Sequence, residues 1–443
     1  MDSPRSVVAK SCVTENMKNE RWLRIIPVAL IMYTISYVDR TNITLALEPK
    51  ISSMMHDLLM DDRLKGQAAG IFFIGYVLLQ VPGGFLANHW SAKRFVSICL
   101  VLWGACAVGC GLAKTFTQFE VMRFLLGMAE SGVLPATTVL LANWFPRAER
   151  ARANGYWNLC QPIAIVVSAP ITSLLLGTFG WQKMLIIEGC LPFIWLPIWL
   201  YFVSDHPRQA KWISPEERDH LEATLKKEVA DLHSTGATPL WMRWEILVMV
   251  VIYFLHNCQA YGCMTFFTAS LKARNFSPFE YGILLAAPYV LTAIIMVVVS
   301  HNSDRTQERR GHVAFVYAMS GVSLILSILL KDYSFWLSYI FLCLAIPGPF
   351  AAIAPFWAIT GETMPRPMMG LVIGIVNGVG NVGGYAGPYL TGWLKEISGN
   401  TNLPFALLGI GMFTASGLCF LLPKAAPQKI NSPTPLPAAD AHA

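Results

Sequence analysis

The chain has 443 residues, 54% of them hydrophobic and 14% charged, whereas soluble domains carry roughly a quarter charged residues. That balance excludes an ordinary soluble enzyme and describes an integral membrane protein. The net charge of +6 is expected to reflect the loop-charge bias of such a protein and offers no case for a nucleic-acid partner.

In chain order, residues 1–21 read as a polar cytoplasmic tail. The first apolar run is too long for a signal-peptide core, so the first helix is expected to stay in the mature protein. Apolar runs of about 20 residues then recur, each near the length an α-helix needs to cross a ~30 Å hydrocarbon core. They fall at 22–46, 66–88, 95–113, 118–142, 153–177 and 183–203, then at 245–270, 280–300, 312–330, 335–359, 370–392 and 403–422. The fold class expected is all-α integral membrane, with twelve transmembrane helices in two six-helix halves, 22–203 and 244–422. Between the halves lies a polar linker, 204–243, and residues 423–443 form a second tail. Within the linker, ISPEERDHLEATLKKE reads as a short amphipathic helix capped by Ser214, lying along the membrane.

Loop charges orient the chain, because Lys and Arg concentrate on the cytoplasmic side. With both termini inside, about 22 fall inside and about 9 outside, while Arg40 and Arg123 remain within the membrane. A multi-pass protein of the cell (inner) membrane is expected, acting as a monomer. Cys99, Cys106, Cys110, Cys160, Cys258, Cys263 and Cys343 lie in predicted spans without zinc-ligand spacing and read as small packing residues. No metal and no cofactor is expected.

The halves repeat one another. GFLANHWSAKR (84–94) follows the second span and SHNSDRTQERR (300–310) follows the eighth, and in each a short polar residue, Asn88 or Asp304, precedes a basic pair. WFPRAERARANGYWN and TMPRPMMGLVIGIVN carry Pro146, Arg147, Gly155 and Asn158 at the same offsets as Pro365, Arg366, Gly374 and Asn377. Transporters built from such repeats hold substrate at the repeat interface near the bilayer midplane.

Two charges stand within the first span, in MYTISYVDRTNITLAL. Asp39 falls roughly 25 Å along a helix rising 1.5 Å per residue, past the midplane but well inside. A charge in hydrocarbon costs at least ~2.5 kcal/mol, so such residues face a cavity and pair with one another. The alternative is an acid and an arginine snorkelling to the outer interface. Against it, Tyr33, Tyr37, Arg40 and Thr44 form one stripe at i, i+4, i+7, i+11, which suits a cavity wall. In the fourth span Arg123 and Glu130 share a face about 10.5 Å apart, too far to pair directly. Each needs a partner on another helix or in water, and Asp39 and Arg40 are complementary; a purely structural charge network is the competing reading. The four charges balance, so an incoming carboxylate drawn to an arginine fork leaves one excess negative charge. Protonating a buried acid would cancel it, which couples anion to proton.

The second half has no such charges. His256, Asn257 and Gln259 of FLHNCQAYG are candidates for bonding hydroxyls, with helix-helix bonding at least as good an account of His256. Tyr261, Trp357, Asn377 and Asn381 are further cavity candidates, and Asn158 gains weight from the repeat. In GIVNGVGNVGGYAG the glycines at GxxxG spacing read as close helix packing.

The twelve-span layout, the loop motifs and the linker resemble the major facilitator superfamily, whose signature after the second span is roughly G-x-L-A-D-x-x-G-R-K-R. Gly84, Leu86, Ala87, Lys93 and Arg94 match it, while Asn88 replaces the acid and Ser91 the second glycine. Asp304 keeps the acid in the second copy, which lacks both glycines. The resemblance implies a conformational latch made by Asn88, Lys93, Arg94, Asp304 and Arg309. YVDRTNI, RFLLGMAESGVLP, NWFPRAERARA, DHPRQAKWISPEE, APFWAI and NGVGNVGGYAGPYLTGWL further resemble the anion:cation symporter branch, which takes in carriers for galactonate, glucarate, hexuronates, tartrate and phthalate. That likeness implies proton coupling by Asp39 and Glu130 and substrate contact by Arg40, Tyr37, Gln161 and Trp357, with Arg123 and the asparagines completing the expected site. The function expected is uptake of an organic anion with a proton, most plainly a sugar acid or a related hydroxy or aromatic carboxylate. An antiporter or uniporter of the same superfamily is the alternative within transport. A membrane enzyme or receptor is disfavoured, since no HExxH, G-x-S-x-G or P-loop pattern occurs.

Overall fold

A computed structural model describes residues 20–230, 244–267, 276–363 and 369–423. Every regular element among them is helical. The first half comprises α1 (Glu20–Ala46), α2 (Met54–Asp57), α3 (Asp62–His89), α4 (Ala92–Leu112), α5 (Phe116–Glu130), α6 (Val133–Trp144), α7 (Arg147–Asn158), α8 (Cys160–Gly189) and α9 (Leu191–Phe202). The linker contributes α10 (Pro215–Ala230). The second half comprises α11 (Trp244–Phe266), α12 (Pro278–Thr306), α13 (Arg310–Leu330), α14 (Phe335–Ala345), α15 (Pro347–Thr363), α16 (Met369–Gly380), α17 (Gly383–Ser398) and α18 (Asn402–Cys419).

These helices thread twelve crossings, with the fourth, fifth, sixth, tenth and eleventh each broken into two helices. α5 and α6 meet at Ser131, α7 and α8 at Leu159, the second leg of α8 and α9 at Cys190, α14 and α15 at Ile346, and α16 and α17 at Asn381. Gly180, at φ +78°, lets α8 turn from the fifth crossing into the sixth, a backbone angle that favours glycine. Nine stretches among the described residues are long and apolar enough to cross a membrane, and one of them, Tyr156–Phe202, spans 47 residues, enough for two crossings. Helix starts carry the residues that satisfy orphan N–H groups: Ser91 accepts from Arg94 N, Thr115 from Gln118 N, and Ser277 with Glu280 closes a capping box.

Two seams join the halves, α3 against α17 and α8 against α12, one for each copy of the repeat. The first closes the end of the bundle far from the described termini. A Cβ on Gly66 would meet Pro388 O at 2.3 Å, so the second and eleventh crossings touch backbone to backbone there. Buried ion pairs cover that contact: Lys395 on Asp62, across the halves, and Lys65 Nζ 3.7 Å from Glu48. Both ammonium groups lie over the Phe266 ring.

The linker is more firmly attached than a solvated helix. Ser214 Oγ accepts from Glu217 N as the cap predicts. Glu217 and Glu149 both take the Arg21 guanidinium, at 3.2 and 2.8 Å, and Leu221 is buried. Arg21, assigned to the N-terminal tail from sequence, therefore belongs to α1 and ties the linker to the start of the fifth crossing.

Candidate transport site

A cavity of about 280 Å³ opens between the halves, near the lower end of the range for small-molecule sites. Tyr33, Tyr37 and Arg40 of α1 form one wall and Asn154, Trp157, Asn158 and Gln161 of α7 and α8 another; α11 brings Tyr253, His256, Asn257 and Tyr261. Trp357 of α15, with Asn377 and Asn381 at the α16–α17 break, completes it. Of the substrate-contacting residues read from sequence, Tyr37, Arg40, Asn158, Gln161, Tyr261, Trp357, Asn377 and Asn381 therefore converge, and Arg123 does not. On α16, between the lining residues Ile373 and Asn377, a Cβ on Gly374 would meet nothing within 4 Å. Gly374 thus faces open space, while Gly383, whose Cβ would meet Phe254 O at 2.2 Å, packs as the GxxxG reading expects.

The repeat is visible in the amides. Gln161 Nε2 donates to Asn158 Oδ1 at 3.4 Å on one side, and Asn381 Nδ2 donates to Asn377 Oδ1 at 3.3 Å on the other. Opposed amide pairs present both donors and acceptors to whatever lies between.

Arg40 is the one cation on the described cavity wall. Its Nε donates to Glu130 Oε2 at 3.0 Å, an oxygen that also accepts from Ser36 Oγ at 2.6 Å. Tyr76, Tyr37, Phe72 and Tyr33 surround the guanidinium at 4.7, 5.1, 5.2 and 5.6 Å, so aromatic faces fix its plane. Among the described residues Arg40 Nη2 is buried without a hydrogen-bond partner, and so is Glu130 Oε1. The first is a donor and the second a carboxylate oxygen, each with unused hydrogen-bonding capacity.

Asp39 and Arg123 lie behind this wall. The expected pairing of the two is indirect: Arg123 Nη1 donates to the Asp39 main-chain carbonyl at 2.8 Å, while the Asp39 carboxylate takes the Trp103 indole N–H at 2.5 Å. Phe72 stands 5.3 Å from the Arg123 guanidinium and 5.2 Å from that of Arg40. Trp103, in the uncharged stretch SICLVLWGACAVGC, carries no sign in the sequence of this partnership.

The second-half polar residues divide. His256 Nδ1 meets Tyr317 Oη at 3.2 Å and stacks on Tyr253 at 5.0 Å, so it bonds helices as well as lining the cavity. Asn257 Nδ2 bonds Gly380 O at 3.2 Å across to α16, and Gln259 Nε2 reaches Ala345 O at 3.4 Å, beside the α14–α15 break and off the cavity wall.

At the terminal end, Asp304 Oδ1 accepts from Arg309 Nη1 at 2.5 Å, and Ser303 Oγ donates to Glu308 O at 2.9 Å. The loop after α3 is held differently: Asp205, from the linker, accepts from Ser91 Oγ at 2.5 Å and Lys93 N at 2.8 Å. Lys93 thus enters through its backbone, and Arg94 N caps on Ser91. The Asn88 side chain, Pro365 and Arg366 lie outside the described residues.

A family model described as Major Facilitator Superfamily matches residues 29–388. The chain belongs to that family. It is a transporter and not an enzyme. It is 30% identical over 437 residues to a quinolone resistance transporter of Acinetobacter baumannii, covering 93% of this chain and 97% of that one. A putative tartrate transporter of Agrobacterium vitis is 29% identical, covering 93% and 92%. Among solved structures, the inward open conformation of the xylose transporter XylE from E. coli matches with a TM-score of 0.76 at 13% identity, covering 92% of this chain and 98% of that one, which establishes the shared fold.

Proposed function

We propose that this transporter takes up a small organic anion, a hydroxylated or sugar-acid carboxylate, together with a proton. One observation carries the reading: Arg40 stands in the cavity wall with a buried, unpartnered Nη2 while its Nε is held by Glu130. A carboxylate docking on the guanidinium finds a preset plane and a donor without a competitor. Glu130 then shares its arginine with the substrate, and a proton on its vacant oxygen, or on Asp39 behind it, restores neutrality. Amide pairs on both sides and tyrosine hydroxyls suit substrate hydroxyls. The relative named as a tartrate transporter supports the same class.

With both termini cytoplasmic, the α3–α17 seam is the external one, and the cavity faces inward. Alternating access then opens this seam and closes the terminal end, and the chain works as a monomer in the cell membrane. Exchange or export is the second reading, favoured by the likeness to a quinolone resistance transporter. Uptake of labelled tartrate and D-glucarate into vesicles, with and without a pH gradient, separates the two. Accumulation that collapses with the gradient supports symport; undiminished accumulation removes it.

A further inference from the structure

The coupling scheme above uses two acids and two arginines, but a third buried acid sits beside them. Glu188, in the second leg of α8, is 3% exposed. Its Oε1 accepts from Thr172 Oγ1 at 2.5 Å and its Oε2 from Asn42 Nδ2 at 2.9 Å. Both donors are neutral, and among the described residues Glu188 forms no ion pair within 4.0 Å. From α1 the nearest charged groups along the chain are Asp39 and Arg40, and Arg40 is held by Glu130. Arg123, on α5, is turned to the Asp39 carbonyl. The packed face of α4 brings Trp103, bonded to Asp39, and the thiol Cys110. Lys183, on the same leg, is exposed.

Asp39, Glu130 and Glu188 against Arg40 and Arg123 leave an excess of one negative charge if all are ionised. A bare carboxylate in the membrane interior without a counter-charge is expensive, and breaking even is achieved by taking a proton. Asn42 offers an independent sign. Its Oδ1 is buried without a partner, next to the amide nitrogen that bonds Glu188. In one orientation the amide gives an N–H to an ionised carboxylate; turned over, it gives its carbonyl to a carboxylic O–H. It is suited to read either state.

We propose that Glu188 is a second proton-binding group of the carrier, placed outward of Asp39, and that Asn42 follows its occupancy. Asn42 lies three residues beyond Asp39 on α1, about 4.5 Å nearer the closed end. A proton entering from that end when the α3–α17 seam opens meets Glu188 before Asp39. The role rests on the proton-coupled reading; the protonation of Glu188 does not.

Two measurements on the full chain in lipid test this. Infrared difference spectra between acid and alkaline pH should contain a protonated-carboxyl carbonyl band that Glu188→Gln lacks and Asp39→Asn keeps, and that shifts in Asn42→Leu. A band unchanged in Glu188→Gln overturns the proposal. In transport, Glu188→Gln should retain tartrate counterflow but lose at least tenfold in pH-driven accumulation, with Glu188→Asp restoring the wild-type pH profile. An unaltered pH profile in Glu188→Gln makes the residue a fixed hydrogen-bond partner, and uptake that follows external Na⁺ and disappears in Glu188→Gln makes it a sodium site; either refutes the proposal. If the wild type moves neither tartrate nor D-glucarate, the proposed function fails, and the infrared band alone decides Glu188.

Discussion

Replacing Arg40 by alanine removes two things at once: the donor offered to the substrate through Nη2, and the Nε bond to Glu130 at 3.0 Å. A hydrogen bond to a charged group contributes about 1.5–3 kcal/mol, and 1.4 kcal/mol is tenfold in affinity, so loss of one anion contact weakens binding about 10- to 150-fold. The same change strands Glu130 in a buried position without its cation, which endangers the fold. Arg40→Ala is therefore best made together with Glu130→Gln, which removes the stranded charge. Arg40→Lys keeps a positive charge but not the fork, and belongs nearer the lower end of that range. Titration calorimetry of tartrate and D-glucarate binding to purified protein reads the effect. Binding by Arg40→Ala/Glu130→Gln within about threefold of Glu130→Gln alone would refute the clamp.

Three further outcomes are expected. Asp39→Asn abolishes accumulation driven by a pH gradient while sparing counterflow, and equal losses in both would assign Asp39 to binding. Gly66→Val, whose added carbons run into the Pro388 carbonyl, prevents closure of the α3–α17 seam. A cysteine introduced in place of Gly374, which faces open space, then reacts with a bulky water-soluble thiol reagent at least tenfold more slowly than in the Gly66 background, and equal labelling would contradict the closed-seam geometry. Asp57, at the end of the short helix α2 after the first crossing, is held below the ordinary carboxylate range by the hydrogen bond from Trp181 Nε1 and that from Ser53 Oγ. Its contribution to stability is present above the ordinary value and lost as pH falls through the lowered one, so Asp57→Asn lowers the thermal midpoint at pH 7 and not at pH below that range.

The twelve crossings were legible because a bilayer demands about 20 apolar residues per helix, and loop composition marks the gaps. The breaks inside five of them were not, since Ser131, Leu159, Cys190, Ile346 and Asn381 open no polar gap long enough to end a span. Arg40 and Glu130 were readable as partners because charges in a span need each other. Arg123 lies off the cavity wall, because helical spacing gives a face but not which neighbour covers it, and Phe72 stands over its guanidinium. Glu188 is legible as a charge inside the span 183–203, but its partners are not, since Asn42 and Thr172 are neutral and carry no sign in an apolar run. The Asp62–Lys395 pair joins residues 333 positions apart, beyond any local pattern.

The central claim, anion uptake driven by a proton gradient through Arg40, is tested most directly in proteoliposomes. With an imposed gradient, acid on the side of the α3–α17 seam, labelled tartrate or a sugar acid should accumulate above its equilibrium level, fall to that level with a protonophore, and not accumulate in Arg40→Ala/Glu130→Gln. Accumulation that persists with the protonophore, or that requires a second anion loaded inside, would contradict it.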